Sequence, residues 1–499
     1  MSNPNIIYIY GDDLGRGMLS CYGQKHFQTP NIDRLAREGL QFTRAYGCIF
    51  CAPARASLMT GYHDAHAGRW TYTRGGLYRP MAEGTMTFEH IAELINNTGL
   101  QERPDEVFLA QIAQRAGYVT GQIGKLEWGF ATTPERIRRH GWDYHYGYYD
   151  HQICHGFYPP FLFENGDIVE IPGNTHPDCG NHPGSESPEN AAIRHDMTGK
   201  VTYSQDLFND KIVDFLRKNR HNPFFLFHPS QLPHGPISVP EIHPGVKDAP
   251  ELTDFEKEYA SMILRLDDTV GIILDELDAL GIADNTIVFF SSDNGHEIYA
   301  AQQGRTVKRQ NLDGIRYDDI TTRHTTEQSG DIFNGNDGMA GLKWTSWEGG
   351  TRLPYIARWP GRISPGTTDH MIANYDFMPT LSDLIGQETP GGKDGESFLP
   401  TLLGKEQRPH APVVFSSRLG PALTTADGWK LRHINKTNGF QLYNILDDYR
   451  EENDLAVEYP DKVDQLARQL LRACDGNFAH GNPDMHLAFV YDNGSLQLR

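Results

Sequence analysis

Two short stretches place oxygen donors directly after apolar runs. Ile6-Ile-Tyr-Ile-Tyr10 leads into Gly11-Asp12-Asp13-Leu14-Gly15, and Thr286-Ile-Val-Phe-Phe290 leads into Ser291-Ser292-Asp293-Asn294-Gly295-His296. Taken singly, either is an ordinary turn, because Asp, Asn and Gly favour turns and helix caps. Taken together, Asp12, Asp13, Asp293 and Asn294 form an all-oxygen ligand set, which suits calcium or magnesium better than zinc. One divalent cation is therefore expected, calcium first and magnesium as the alternative.

A third stretch is Cys51-Ala-Pro53-Ala-Arg55-Ala-Ser-Leu-Met-Thr60-Gly61. Pro53 fits the first turn of a helix and Gly61 its end. Cys51 then sits at the helix N-terminus, where unpaired backbone N–H groups and the dipole favour a thiolate or a bound anion. Arg55, one turn on, points a guanidinium at the same place. Cys48 and Cys51 also make a CxxC, readable as a redox pair or half a zinc site, but a zinc ribbon wants a second CxxC and the chain has none. Six scattered cysteines do not make a disulfide framework.

Cys51-x-Pro53-x-Arg55 followed by Thr60-Gly61 resembles the maturation signature of the sulfatase family, in which the cysteine is oxidised to formylglycine. Further motifs follow in the family's order. Gly11-Asp12-Asp13 and Ser292-Asp293-Asn294-Gly295 resemble its two metal motifs. Gly124-Lys125 and Pro233-His234 resemble its Gly-Lys and Pro-His motifs. Lys343 with Glu348-Gly349-Gly350-Thr351-Arg352 resembles its lysine and Glu-Gly-Gly block. Asp427-Gly428-Trp429-Lys430-Leu431, Gln441-Leu442-Tyr443-Asn444 and Glu452-Asn453-Asp454-Leu455 resemble its C-terminal subdomain. The likeness runs from about residue 5 to 470.

The resemblance implies hydrolysis of a sulfate monoester, an aryl sulfate or a sulfated sugar, and a formylglycine-generating enzyme as maturation partner. It implies that residue 51 is nucleophile and metal ligand, that Arg55, Lys125 and Lys343 surround the sulfate, and that His234 serves the leaving alcohol. The chain departs from the pattern where Gly-Lys-Trp-His is usual: here it reads Gly124-Lys125-Leu126-Glu127. An extended segment would turn Lys125 and Glu127 to one side. Glu127 is thus expected beside residue 51, as the base for sulfate release or as a partner orienting Lys125 or Arg55. His151 and His155, in Tyr148-Tyr-Asp-His-Gln-Ile-Cys-His155, are candidate substrate-binding residues. Trp344 and Trp347 read as packing residues more readily than as sugar platforms. The competing readings are a phosphodiester or phosphonate monoester hydrolase of the same superfamily and a catalytically dead carbohydrate-binding protein.

Positioning such a set requires a large scaffold. The 499 residues exceed one small core. Strands are predicted at Ile6–Tyr10, Val119–Ile123, Phe224–Phe227, Thr286–Ser292 and Tyr355–Ala357. Helices are predicted at Asn31–Glu38, Glu106–Gln114, Ser204–Lys218, Glu256–Leu280 and Tyr375–Ile385. The alternation predicts an α/β fold: a large, mostly parallel sheet sandwiched by helices, with ligands at the strands' carboxyl ends. Residues 141–200 and 297–342 read as long irregular loops. After Gly404, short strands and the amphipathic stretch Lys462–Cys474 read as a smaller antiparallel-sheet subdomain with a closing helix. The organisation predicted is a catalytic domain over 1–404 and a subdomain over 405–499. The formal charge of −20 disfavours nucleic acid and anionic membranes as partners, and no apolar run spans a bilayer. The N-terminus lacks a secretory pattern, so the expected compartment is the cytoplasm, or the periplasm or exterior if a signal has been removed.

Overall fold

The computed structural model describes residues 3–72, 75–98, 102–182, 187–299, 305–307, 310–311, 321–486, 489–492 and 495–498. Strand β1 (Asn5–Gly11) and strand β8 (Thr286–Ser292) are buried at every position. Such continuous apolar runs are what strands covered on both faces require. Between them in sequence lie β2 (Leu40–Tyr46), β3 (Val119–Gly124), β4 (Tyr144–Gly147), β5 (Phe161–Glu164), β6 (Asp167–Glu170) and β7 (Phe224–Pro229). Beyond them come β9 (Arg352–Arg358), β10 (Gly366–Thr368) and β11 (Ile372–Ala373). These form one 11-stranded sheet in the order β10-β2-β9-β8-β1-β7-β3-β4-β5-β6, with β11 also on β2. Strands β8, β1, β7, β3 and β4 run parallel, and β9 joins antiparallel to β8 and β2.

Helices α1 (Pro30–Glu38), α2 (Cys51–Thr60), α3 (Leu109–Arg115), α4 (Ser204–Asn219), α5 (Asp254–Ala279) and α6 (Phe377–Leu384) flank the sheet. The first turn of α1 is capped from another helix: the Asp267 carboxylate in α5 accepts from the backbone N–H of Asn31 at 3.1 Å and of Ile32 at 2.7 Å. A separate four-stranded antiparallel sheet follows, β12 (Val413–Phe415), β13 (Ala422–Thr424), β14 (Trp429–Ile434) and β15 (Gly439–Asn444). Helix α7 (Pro460–Ala473) packs on it through Leu466 and Leu470.

Glu348 joins the two sheets. Its buried carboxylate meets Lys430 Nζ at 2.9 Å, Tyr46 Oη at 2.9 Å and Arg352 at 3.4 Å. The Glu-Gly-Gly block is therefore a structural joint. Gly295 permits the block's close approach to the main sheet, because a β-carbon there would lie 1.8 Å from the Gly349 carbonyl oxygen.

One expectation is corrected. Residues 141–200 are not all loop: they hold β4, β5, β6 and a helix over Pro188–His195. Their short Tyr-, His- and Phe-bearing strands are broken by Gly and Pro, so no apolar run marks them. Of 297–342, the stretches 300–304, 308–309 and 312–320 lie outside the described residues. No helix among the described residues is long and apolar enough to cross a membrane.

Candidate active site

The parallel register aligns the chemistry. Gly11 pairs with Ser292, so Asp12-Asp13 and Asp293-Asn294 leave neighbouring strands side by side. Asp13, with φ of +60°, turns its N–H onto Asp293 Oδ1 at 3.0 Å. Asn294 Nδ2 donates to Asp13 Oδ1 at 2.8 Å, and the Ser292 hydroxyl accepts from the Leu14 N–H at 3.0 Å. On the other side of β1, the end of β7 leads into the segment that carries His234. Lys125, just past β3, donates its N–H to the Pro229 carbonyl at 2.7 Å.

Helix α2 aims at the same place. All ten of its residues are buried, it starts at Cys51, and Gly61 ends it with φ of +72°. No side chain caps its first turn. Sγ of Cys51 and carboxylate oxygens of Asp12 and Asp293 lie within 4.8 Å of one another. Cys48 points elsewhere, with its sulfur 3.4 Å from the Ser57 hydroxyl, and all six cysteines are free thiols.

Three buried cations meet three buried carboxylates. Arg55 Nη2 lies 3.1 Å from Asp293 Oδ2 and 3.7 Å from Asp12 Oδ1. Lys125 Nζ bonds to Asp12. Lys343 Nζ donates to Asp13 Oδ2 at 2.8 Å and to His234 Nε2 at 3.1 Å. Burial alone would raise the Asp12 carboxyl, but Lys125, then His234 and Arg55, hold it well below its usual range. Asp293 goes the other way: burial first, then the charge of Asp12, push it up to about 8. Burial pushes the Cys51 thiol up to about 11, against the pull of Lys125 and Lys343.

Three histidines stand beside these groups. His151 Nε2 lies 3.3 Å from Cys51 Sγ. The His155 ring stacks on His234 with centroids 3.7 Å apart, and its Nε2 is 3.4 Å from Lys125 Nζ. Burial, and then cationic neighbours, keep His151 and His155 well below the usual histidine range. Burial likewise takes His234 down to about 4 despite the nearby Asp13. Burial thus disfavours the protonated form of all three.

The structure thus brings together Asp12, Asp13, Cys51, Arg55, Lys125, His151, His155, His234, Asp293, Asn294 and Lys343. It does not bring Glu127 to Lys125, Arg55 or residue 51. The Glu127 carboxylate bonds to His140 at 2.7 Å, in a buried pocket where Glu102 also approaches His140. The reason is local: β3 stops at Gly124, whose φ is +136°. The chain bends from there, and the strand alternation that would have aligned residues 125 and 127 no longer applies. Two participants carried no sequence signal beyond their place in polar loops. Tyr299 donates its hydroxyl to Asp13, and Cys154 lies among the ligand-type atoms of His151 and His155.

The donor atoms fit a hard cation. Asn294 Oδ1 and Asp12 Oδ1 are buried without a hydrogen-bond partner, an arrangement that is costly unless a ligand meets them. Oxygen donors on two adjacent strand ends suit calcium or magnesium.

Comparison with known proteins gives the family. A sulfatase family model matches residues 4–387. An N-acetylgalactosamine-6-O-sulfatase of Bacteroides thetaiotaomicron is 30% identical, over 94% of this chain and 92% of its own length. Human N-acetylgalactosamine-6-sulfatase is 30% identical over 80% of this chain and 66% of its own length. Human arylsulfatase A is 28% identical over 83% and 70%. A solved sulfatase structure, described in connection with the metabolism of multiple glycosaminoglycans by Bacteroides thetaiotaomicron, superposes with a TM-score of 0.69. It is 25% identical and covers 95% of this chain and 100% of that one. A match that begins before β1 and ends beyond α6 takes in the whole main sheet, more than one shared motif would produce, and the chain is a member of the sulfatase family, a sulfuric ester hydrolase.

Proposed function

We propose that this chain hydrolyses a sulfate monoester of a sugar or an aryl alcohol. In this reading Cys51 is oxidised to formylglycine by a maturation enzyme, and Asp12, Asp13, Asp293 and Asn294 hold one divalent cation, calcium or magnesium. One observation carries it: the Cys51 side chain heads a buried helix within 4.8 Å of the Asp12 and Asp293 carboxylate oxygens. A sugar is favoured over a simple aryl group because relatives 30% identical to this chain are named as N-acetylgalactosamine 6-sulfatases.

Held by Asp12, Asp13, Asp293 and Asn294, the cation would supply Lewis acidity, and the oxidised residue 51 would supply the attacking oxygen. The chain's own groups do the rest. Arg55, Lys125 and Lys343 concentrate positive charge on the sulfate oxygens in a buried site, where it acts strongly. This local charge overrides the repulsive field of a chain with net charge −20. His234 donates from Nδ1 to the Gly235 carbonyl, so its Nε2 accepts from Lys343. That pair can pass a proton to the leaving alcohol. His151, neutral and 3.3 Å from residue 51, takes the proton whose loss releases sulfate. Glu127 stabilises His140 instead.

Protein co-expressed with a formylglycine-generating enzyme tests this reading. Peptide mass spectrometry should find the aldehyde at residue 51, and turnover of 4-nitrophenyl sulfate and N-acetylgalactosamine 6-sulfate should track its fraction. Undiminished turnover by Cys51→Ala, or faster turnover of 4-nitrophenyl phosphate than of the sulfate, would overturn it.

A further inference from the structure

One buried side chain ties together two segments that carry histidines of the site. Gln231 lies just past β7, in the stretch Ser230-Gln-Leu-Pro-His234, and is 1% exposed. Both ends of its amide are engaged. Nε2 donates to the Cys154 carbonyl and, at 3.1 Å, to the Gly156 carbonyl. Oε1 accepts from the Ser204 hydroxyl, at the head of α4, at 2.6 Å. Two carbonyl acceptors fix the orientation of the amide, because only its NH2 end can donate to both.

Those two carbonyls stand immediately before and after His155, so the amide grips the turn on either side of that ring. The turn is confined from elsewhere too. The Tyr148 hydroxyl donates to the Gly156 carbonyl at 3.0 Å, and a β-carbon on Gly156 would lie 2.5 Å from the Cys179 carbonyl oxygen. The backbone of the Gln231 segment serves the second histidine. The Gln231 carbonyl accepts from the His234 N–H at 2.9 Å, and the Leu232 carbonyl accepts from the Asp12 N–H at 3.0 Å. Gln231 therefore holds His155 through its side chain and His234 through its main chain. The two rings stack with centroids 3.7 Å and planes 12° apart. His234 Nε2 in turn accepts from Lys343 at 3.1 Å.

We propose that Gln231 is a positioning residue for proton delivery to the leaving alcohol. Its amide clamps the turn around His155, His155 packs against the His234 ring, and the stack keeps His234 Nε2 on Lys343. The proposal rests on the sulfate-ester reading and adds the residue that orients the Lys343–His234 pair. Glutamate in this place would set a carboxylate oxygen against two carbonyl oxygens, and methionine would leave both carbonyls unpaired. A misplaced proton donor harms most those esters whose alcohols leave poorly. Loss of folded protein or of the cation harms all esters alike.

The test uses full-length, formylglycine-bearing enzyme with calcium and two aryl sulfates, 4-nitrophenyl sulfate and the less readily cleaved 4-methoxyphenyl sulfate. Gln231→Met should lower kcat/KM about tenfold or more for the 4-methoxyphenyl ester and less than about threefold for the 4-nitrophenyl ester. Ser204→Ala spares both bonds to the His155 turn and frees only the far end of the amide. It should show the same bias at smaller size, and it carries the test if Gln231→Met does not fold. His155→Ala should reproduce the bias, and adding Gln231→Met to it should change either rate less than about twofold, since the two act in series. Equal losses on the two esters, unchanged rates in Gln231→Met, or losses that multiply in the double variant would each overturn the proposal. Failure of the sulfatase reading is distinguishable, since it appears as no turnover of any sulfate ester by the formylglycine-bearing wild type.

Discussion

Cys51 Sγ and His151 Nε2 lie 3.3 Å apart across a sequence separation of 100 residues, whereas Glu127, two residues beyond Lys125, turns to His140. The structure thus offers an imidazole at residue 51 where the linear motif carries a carboxylate.

His151→Gln in fully converted enzyme should lower kcat by about 10²- to 10⁴-fold, the usual contribution of a positioned base. Alcohol release should show a burst of one equivalent and then stall. Glu127→Gln should leave kcat within about threefold and instead lower stability by about 1–3 kcal/mol, because a buried hydrogen-bonded partner of His140 is weakened. Stopped-flow alcohol release and thermal unfolding on both variants decide the matter. A stalled Glu127→Gln enzyme beside a normal His151→Gln enzyme would reverse the assignment.

Metal removal should destabilise the protein and abolish turnover. Calcium at a hundredfold excess over its Kd should raise folding stability by about 2.7 kcal/mol, an effect absent from Asp13→Asn/Asn294→Ala protein. Differential scanning calorimetry with and without chelator measures it. Stoichiometric zinc in the native protein, found by elemental analysis, would contradict an all-oxygen site.

His410 makes stability depend on pH away from the active site. Burial would lower its pKa, but the Asp376 carboxylate 2.9 Å away more than offsets this and pushes it from 6.5 up to about 9. The folded value is the higher one, so the protonated pair stabilises the fold fully below pH 6.5, and that contribution is lost as pH rises through about 9. Its size is about 3 kcal/mol. Urea unfolding from pH 6 to 10 should show the decline, and His410→Gln should flatten it. A decline of equal size in the variant would assign it to other groups.

The strand ends, the oxygen donors that follow them and the helix bearing Cys51 were legible in the sequence because each is a local pattern. An apolar run stops, oxygen donors follow, and Pro53 and Gly61 bound a helix. The parallel order of β8, β1, β7 and β3 then had to bring those ends together. The strands within 141–200 were not legible, because their hydrophobic residues alternate over only a few positions.

Sequence alone therefore named most of the side chains that meet at the candidate site and the kind of sheet on which they meet. Tertiary structure alone decided which way Glu127 faces and which histidine reaches Cys51. Those outcomes depend on the bend after Gly124 and the return of the chain through His151. The bend is local to Gly124, whereas the approach of His151 to Cys51 is imposed by packing between segments far apart in the chain.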